Sequence, residues 1–401
     1  MSDDELLDRF QFEAFRYFLD NANPATGLIA DTNRPGSPCS IAVVGFALSC
    51  YPVGVERRWI TRPEATALTL TALRYFRNTV ETHHGFFYHF LDMQTGGRVW
   101  QSELSLIDSA LLLAGVFAAQ AYFEDEPEIC EIADALYRRM DWQWACHGGP
   151  TVAQGWKPEC GFLHYGWEGY SEASLLYVLA MASPTFPLRD ENYAAWTSTY
   201  QWENLYGYDF LYAGPLFIHQ FAHVWIDFRG LRDDFMREKG SDYFENSRRA
   251  TYVQREYAIR NPREFKGYAE NFWGLTACDG PGTHTHSIET GGRRMYGYAA
   301  RGVPFGPDDG TISPAAAFGS LPFAPEIALP AIRCKCEDFR VPGGLNPTFD
   351  WVSEGCFGLD QGLIVLMIEN YRSGLLWNLM RKSPWLAVGL QRAGFTGGWL
   401  V

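Results

Sequence analysis

Apolar residues recur at helical spacing along most of this 401-residue chain. The segment from Asp3 to Leu19, for example, carries Leu6, Leu7 and Phe10 close to one helix face. The same pattern predicts about twelve helices in all. They cover residues 3–19, 38–49, 61–79, 102–122, 127–144, 171–182, 191–204, 215–228, 242–261, 313–319, 322–332 and 358–381.

Long loops rich in Gly, Trp and His separate these helices, as in residues 146–169 and 278–307. Strand patterns are few. "GFFYHFLD" (85–92) and "GGRVWQ" (96–101) predict one small β-hairpin. We therefore expect an all-α fold, a single domain over residues 1–401 built as an (α/α)6 toroid with long pocket-forming loops. An α-solenoid is the alternative, but it would show a sequence period.

Composition and charge narrow the possible classes of function. Aromatic residues make up 16% of the chain. They either fill a large helical core or stack on sugar rings, and both interpretations stay open. The net charge of −14 disfavours nucleic acid and anionic membranes as partners.

The sequence also gives expectations about location and redox state. No apolar stretch has the length of a membrane span, and "MSDDELLDRF" does not resemble a signal peptide. We expect a cytoplasmic protein, or a periplasmic one if a leader has been removed. The nine scattered cysteines are expected to be reduced.

Carboxylates stand at the starts of three apolar helical segments. Glu103 and Asp108 begin one, Glu168 and Glu172 precede another, and Asp360 begins the third. Any single acid could simply favour a helix N-terminus, by about 0.3–1 kcal/mol. Three such starts predict acids at one common rim if the helices run parallel. Two carboxylates across a pocket are the minimum equipment for cleaving an acetal.

Other chemistries have weaker support. The chain contains no GxSxG sequence, P-loop or dinucleotide-binding fingerprint. His219 and His223 have helical spacing, but "HQFAH" lacks the glutamate of a zinc protease, so we expect hydrogen-bonded histidines of the pocket or the core. "HTH" (284–286) is a weak candidate for substrate contact. We expect no metal and no cofactor.

Several of these segments together resemble a known family. "ELSLIDSALLLAG", "HQFAHVWIDFRGLRD", "KGYAENFWGLTACDGP" and "GLDQGLIVLMIENY" are similar to the glycoamylase-like domain, which is related to bacterial endo-β-1,2-glucanases and β-1,2-glucan transglycosylases. The resemblance runs from about residue 5 to the C-terminus. It implies an (α/α)6 barrel that acts on a β-1,2-glucan.

The resemblance also implies roles for particular residues. Glu172 would be the general acid and Asp360 the base, with Glu103 and Asp108 binding substrate hydroxyls. In such enzymes the acid is expected to act through a substrate hydroxyl, and the base through a relay to water. "HQFAHVW" has Phe-Ala where many members have Tyr-Ser, and Ala269 stands where Gly is common. Hydrolysis and transglycosylation therefore both stay open.

We expect a glycoside hydrolase that cleaves a β-linked glucan, with β-1,2-glucan or its oligosaccharides as partner. A transglycosylase and a non-catalytic sugar-binding protein are the alternatives. A polysaccharide lyase is disfavoured by the negative charge. Further candidate substrate-binding residues share an aromatic or polar side chain in a loop or at a helix end. They are Trp167, Tyr170, Arg229, Glu270 and Trp273.

The sequence around the two catalytic candidates predicts how each is tuned. Glu172 lies between Trp167 and the apolar Leu175 and Leu176, so loss of hydration should raise its pKa and outweigh the helix dipole. Asp360 is expected to lie closer to water and stay ionised. We expect both carboxyls to face one pocket.

Overall fold

Helices form most of the regular structure in the computed structural model, which describes residues 1–282, 285–288, 291–335 and 339–400. In these residues the α-helices are α1 (Asp3–Asp20), α2 (Ile41–Glu56), α3 (Arg62–Asn78), α4 (Leu106–Tyr122), α5 (Pro127–Arg138), α6 (Trp142–Ala145), α7 (Ala173–Ala182), α8 (Asp190–Thr197), α9 (Phe221–Trp225), α10 (Asp234–Glu238), α11 (Tyr243–Arg260), α12 (Ala315–Gly319), α13 (Pro325–Lys335), α14 (Gly358–Arg372), α15 (Leu375–Arg381) and α16 (Pro384–Arg392). Short 3-10 helices cover Leu216–His219 and Gly398–Leu400.

Strands are short, but more numerous than the sequence predicts. They are β1 (Cys39–Ser40), β2 (Thr82–His83), β3 (Phe86–Tyr88), β4 (Phe90–Leu91), β5 (Leu104–Ser105), β6 (Gly155–Lys157), β7 (Gly161–Phe162), β8 (Trp202–Leu205), β9 (Tyr208–Leu211), β10 (Leu231–Arg232), β11 (Ala277–Cys278), β12 (Thr285–Ile288), β13 (Gly291–Arg294), β14 (Ala299–Ala300), β15 (Leu345–Asn346), β16 (Trp351–Val352) and β17 (Thr396–Gly397). Five of them form one antiparallel sheet in the order β2-β3-β5-β6-β7, and the other strands pair two by two.

The predicted hairpin of residues 85–92 and 96–101 is only partly present. β3 pairs with β2 and β5 instead of with the second predicted arm. A single bridge between Leu91 and Arg98 joins the two predicted arms. The turn lies between them because the Asp92 carboxylate accepts hydrogen bonds from the backbone N–H groups of Gln94 and Thr95. The pairing register could not be predicted from so short a pattern.

Helix ends follow the capping chemistry of the sequence in some places and tertiary contacts in others. Thr61 caps α3 as predicted, and its hydroxyl accepts from the N–H of Glu64. The predicted helix over residues 358–381 is two helices, because Gly374 adopts a left-handed φ of 67° between α14 and α15. The helix predicted from residue 102 starts only at Leu106, since Leu104 and Ser105 form β5.

Helices α2, α4 and α14 are buried along most of their length. Helices α2 and α4 approach most closely at two glycines. A Cβ on Gly115 would lie 1.9 Å from the carbonyl oxygen of Gly45, so neither helix could carry a larger side chain there. Helix α2 also packs on α14, and α4 packs on α7.

Polar residues that interrupt the apolar run of α14 have partners inside the fold. Glu369 is 2% exposed and accepts hydrogen bonds from Arg57 at 2.8 Å and Gln11 at 3.0 Å. The side-chain amide of Asn370 donates to the carbonyl of Val224 at 2.9 Å. These contacts join α14 to α1, α2 and α9. In the parts of the chain that the structure describes, no helix is both long enough and apolar enough to cross a lipid bilayer.

Candidate active site

A cavity of about 770 Å³ opens where α4, α7 and α14 begin. Asp108 in the first turn of α4, Glu172 just before α7, and Asp360 in the first turn of α14 all line it. Glu103, which precedes β5, lines it as well. The structure thus brings together four of the five carboxylates that the sequence predicts at one rim, including the two catalytic candidates, whereas Glu168 is exposed and does not line the cavity.

Glu172 is positioned by the start of α7 but does not cap it. Its backbone has helical φ and ψ angles, and its side chain forms no capping hydrogen bond. Burial raises the pKa of Glu172 to about 7, and the nearby charge of Asp108 adds to the effect. A carboxyl with this pKa keeps its proton in a large fraction of molecules near neutral pH, as a general acid requires.

Asp360 differs from the sequence-based expectation that it stays ionised. Burial raises its pKa to about 8, the Asp31 carboxylate raises it further, and the Ser313 side chain only partly opposes the rise. The expectation was wrong because Asp360, in the first turn of α14, loses hydration in the cavity and has a second acid, Asp31, nearby. One helix N-terminus does not offset that loss of hydration.

Asp31 is an acidic residue of the cavity that sequence reasoning missed. Its backbone N–H donates to the carbonyl of Pro38 at 2.7 Å, and its own carbonyl accepts from the N–H of Gly358 at 2.8 Å. The loop of Asp31 is therefore fixed to the start of α14, beside Asp360. Burial raises the pKa of Asp31 to about 6. The next helix, α2, begins only at Ile41, so the pattern of acids at helix starts gave no signal for Asp31.

His89 lies between two of the cavity carboxylates and was also missed by sequence reasoning. Its Nδ1 lies 2.9 Å from Oε1 of Glu103, and its Nε2 lies 3.5 Å from Oδ2 of Asp108. Burial opposes a charge on the ring, but Asp108, Glu103 and Asp31 outweigh it and raise the pKa of His89 to about 9. In turn, the hydrogen bond from His89 lowers the pKa of Glu103. The ring is therefore an imidazolium that holds both carboxylates.

Asp108 is fixed from its other side by Ser105. The Ser105 hydroxyl donates to Oδ2 of Asp108 at 2.5 Å and accepts from the backbone N–H of Asp108 at 3.2 Å. Ser105 is therefore the N-cap of α4, and Asp108 takes part in the hydrogen bonds at the start of this helix. Its carboxylate nevertheless lines the cavity, where it can accept a hydrogen bond from a substrate hydroxyl.

The cluster of His89, Glu103 and Asp108 also has the donor set of a metal site. One ligand atom from each of the three lies within 4.8 Å of the other two. The sequence-based argument against a metal considered only His and Cys spacings and did not foresee this group. Three such ligands can hold a catalytic zinc ion, but only if His89 is neutral. Because both ring nitrogens already face carboxylates, the cluster fits a protonated histidine.

Trp167 lines the cavity, but Tyr170 and Trp273 do not. Tyr170 packs against the rings of Tyr200 and His219, with centroids 5.9 and 5.1 Å away. Trp273 is fully buried in the core. The prediction that both residues line the pocket is corrected, because their large rings fill space between elements instead.

Arg229 and Glu270 also lie away from the cavity-lining residues. Arg229 donates to Asp227 at 2.7 Å and stacks 4.6 Å from the ring of Trp377. Glu270 is 64% exposed on its side chain and pairs with Arg255. Each charge is paired with an opposite charge outside the cavity lining, which corrects their prediction as pocket residues.

The two histidines of "HQFAH" are buried, as expected. His219 and His223 are each 1% exposed. Nε2 of His223 lies 2.9 Å from the Ser247 hydroxyl, and burial lowers the pKa of His223 to about 3. The candidate substrate contact at residues 284–286 lies outside the residues whose side chains are described.

Comparison with known proteins identifies the family of this chain. The sequence model of the Glycoamylase family, described as "Putative glucoamylase", matches residues 164–384, which is more than half of the chain. The chain belongs to the Glycoamylase family. The matched region of this family member includes Glu172 and Asp360.

Relatives of this family member have solved structures. One described as a putative glucoamylase, from Bacteroides uniformis, is 30% identical with a TM-score of 0.91, and the match covers 100% of this chain and 99% of that one. An endo-β-1,2-glucanase from Chitinophaga pinensis, solved with sophorotriose and glucose, is 28% identical with a TM-score of 0.86 and full coverage of both chains.

A curated relative adds a named activity. It is an exo β-1,2-glucooligosaccharide sophorohydrolase (non-reducing end) from Parabacteroides distasonis, 28% identical over 98% of this chain. The chain spans 58% of that relative's length.

Proposed function

We propose that this chain is a glycoside hydrolase that cleaves β-1,2-linked glucan or its oligosaccharides. One observation carries the proposal: Glu172 and Asp360, from the starts of two different helices, line one cavity. Relatives named for β-1,2-glucan chemistry support the choice of substrate. The solved relative with sophorotriose matches over its full length, so the proposal does not depend on regions that this chain lacks.

In the proposed reaction, Glu172 supplies the proton that the leaving oxygen takes up, directly or through a substrate hydroxyl. Asp360 takes a proton from the attacking water, and the glycosidic C–O bond breaks as a new C–O bond to water forms. Glu103 and Asp108 accept hydrogen bonds from substrate hydroxyls. No cofactor is needed for this chemistry.

The pKa values of Glu172 and Asp360 limit the fraction of free protein in which both carboxyls have the protonation state that the reaction needs. Glu172 has a pKa of about 7 and Asp360 a pKa of about 8. Between these two values, only a minority of molecules would hold Glu172 protonated and Asp360 ionised together. A bound substrate that hydrogen-bonds to the Asp360 carboxylate, or that displaces Asp31 from it, would raise this fraction.

The helix contacts support an (α/α)6 toroid as a single catalytic domain. Helices α14, α2, α4 and α7 contact one another in sequence around the cavity, and α12 contacts α14. Helices α1, α3, α5 and α16 pack outside them. The buried apolar residues belong to one cluster that extends from Leu6 to Phe395.

Three alternatives are open for the same site. The family description, glucoamylase, names an activity on α-linked glucan. A transglycosylase would use the same two carboxyls and transfer the sugar to a second glucan instead of to water. The sugar-binding alternative requires no reaction at all.

The proposal is tested by incubating the protein with linear β-1,2-, β-1,3- and α-1,4-glucans and separating the products by chromatography. We expect shorter oligosaccharides and new reducing ends from β-1,2-glucan alone. Chain redistribution without new reducing ends would establish the transglycosylase. Products from α-1,4-glucan alone would overturn the choice of linkage, and no product from any glucan would favour the binding protein.

A further inference from the structure

A strained turn stands at one edge of the cavity. The N–H of Ser102 donates to the carbonyl of Val99 at 3.0 Å, and the two residues between them, Trp100 and Gln101, have φ angles of 56° and 49°. A turn with two central positive φ angles strongly favours Gly, Asn or Asp. A bulky side chain at such a position costs roughly 1–2 kcal/mol.

The surrounding contacts hold this turn in place. The N–H of Val99 donates to the carbonyl of Phe90 at 3.1 Å, and the hydroxyl of Ser102 contacts the Phe90 backbone. Arg98 donates to the carbonyl of Ser102 at 2.5 Å and pairs with Glu159 at 2.6 Å. The turn therefore keeps a defined orientation despite its strain, and it directly precedes the cavity residue Glu103.

The strained turn leaves the indole ring of Trp100 exposed to solvent. Trp100 lines the cavity and is 69% exposed. Its ring packs against that of Phe90, with centroids 5.1 Å apart and planes at 58°. A single exposed aromatic residue is ordinary in proteins. An exposed tryptophan in a backbone conformation that disfavours it, at the edge of a cavity, points to a function.

We propose that Trp100 is a sugar-binding platform that extends the cavity beyond the catalytic carboxyls. It would stack on the apolar face of a glucose ring next to the units held at Glu172 and Asp360. This proposal rests on the proposed function and deepens it, because it identifies the substrate as an oligosaccharide longer than a disaccharide.

The chemistry of the cavity walls favours this occupant. Tyr298, which also lines the cavity, is 61% exposed and contacts Phe357, with ring centroids 5.5 Å apart. Aromatic faces combined with a few polar groups are typical of small-ligand sites, and a pyranose offers C–H groups to the rings and hydroxyls to the acids. An anionic partner would gain nothing from the indole face, and the cavity carboxylates would repel it.

The test measures affinity as a function of substrate length. Trp100→Ala and Trp100→Phe are made in a Glu172→Gln background, so that ligands are not cleaved. Tyr371→Ala is the matched control, because Tyr371 is an exposed aromatic residue near the other end of α14. The Kd values for the β-1,2-linked disaccharide and for a series of longer oligosaccharides are measured by calorimetry.

We expect Trp100→Ala to weaken the binding of longer oligosaccharides by about tenfold, with a clearly smaller effect on the disaccharide. Trp100→Phe should recover part of the loss, and Tyr371→Ala should leave all Kd values unchanged. An equal effect at every length, or none, would overturn the platform while leaving the proposed function intact. If the unmutated protein neither binds nor cleaves any β-1,2-oligosaccharide, the proposed function fails, and the platform fails with it.

A second variant separates a binding role from a structural one. Asn tolerates positive φ, so Trp100→Asn should relieve strain and raise Tm while it weakens the binding of long oligosaccharides. If Trp100 instead stabilised the folded protein, Trp100→Asn would lower Tm. That outcome would overturn the proposal.

Discussion

Nδ1 of His89 lies 2.9 Å from Oε1 of Glu103. This contact joins the loop between β3 and β4 to an acid of the cavity. The same ring faces Asp108 through Nε2. One imidazolium thus offsets much of the negative charge that would otherwise face an incoming sugar. It also fixes the directions of two carboxylates that can accept hydrogen bonds from substrate.

His89→Gln should lower the free energy of unfolding in a pH-dependent way. The folded-state pKa of His89 is raised from 6.5 to about 9, so its stabilisation is fully present below pH 6.5 and disappears as pH rises through about 9. We expect a loss of about 1–3 kcal/mol at pH 6.5 and almost none above pH 9. Denaturant unfolding of both proteins across this range measures the difference.

His164→Gln is the control, because His164 is exposed. It should change the free energy of unfolding little at any pH. A loss in His89→Gln that is the same from pH 6.5 to pH 9 would show that the ring serves through packing alone.

Glu172→Gln should remove most of the activity on β-1,2-glucan, because the amide cannot supply a proton. General acid catalysis contributes about 10²–10⁴-fold, and we expect a fall in kcat/KM of that size. The alkaline limb of the pH profile should disappear as well. Above pH 7 the variant should be more stable than the parent, since the raised pKa of Glu172 means that its charged form destabilises the fold.

Glu168→Gln is the matched control, since Glu168 is exposed on the same loop and does not line the cavity. Its activity should stay close to that of the parent. If Glu172→Gln also keeps near-parental activity and its alkaline limb, the acid is another residue, and Glu103 or Asp108 becomes the candidate.

The positions of Glu172 and Asp360 could be predicted because helix starts are visible in a sequence. An apolar run fixes where each helix lies, and the preceding acid must then lie at its N-terminal end. Asp31 and His89 could not be found in this way. Asp31 lies on a loop, and His89 lies between two short strands. No periodic pattern of apolar residues predicts which way these side chains point, so only the folded chain shows that they lie beside the helix starts.

Some errors were avoidable from local sequence, and others were not. Asp227 stands two residues before Arg229, so their ion pair could have been foreseen. Gly374 is of the residue type that most often ends a helix, so the break after α14 could also have been predicted from the sequence. The burial of Trp273 and the raised pKa of Asp360 depend on neighbours that are distant in sequence, such as Asp31.

Activity should survive removal of divalent metals. A metal at His89, Glu103 and Asp108 would have to displace the proton of a ring whose pKa is about 9. We expect unchanged kcat and KM after dialysis against a chelator, with added zinc giving no activation. Loss of activity with chelator, restored by zinc or calcium, would establish the metal site instead.

Asp31→Asn should lower the pKa of Asp360 by up to about one unit, because burial remains while the neighbouring negative charge is lost. The backbone contacts of Asp31 with Pro38 and Gly358 do not involve its side chain, so the fold should be kept. Asp20→Asn, at the exposed end of α1, is the control.

The absolute rates in this experiment distinguish the roles of the two carboxyls. Normalised pH profiles cannot, because an acid of pKa 7 with a base of pKa 8 gives the same shape as the reverse assignment. If Asp360 is the base, Asp31→Asn makes its ionised form more abundant in the pH range where Asp31 is charged, above its own pKa of about 6. We then expect kcat/KM to rise between about pH 6 and pH 7, by up to about tenfold, and to stay unchanged on the alkaline side. If Asp360 were the acid, kcat/KM would instead fall on the alkaline side and stay unchanged on the acidic side. That second result would reverse the proposed assignment of Glu172 and Asp360.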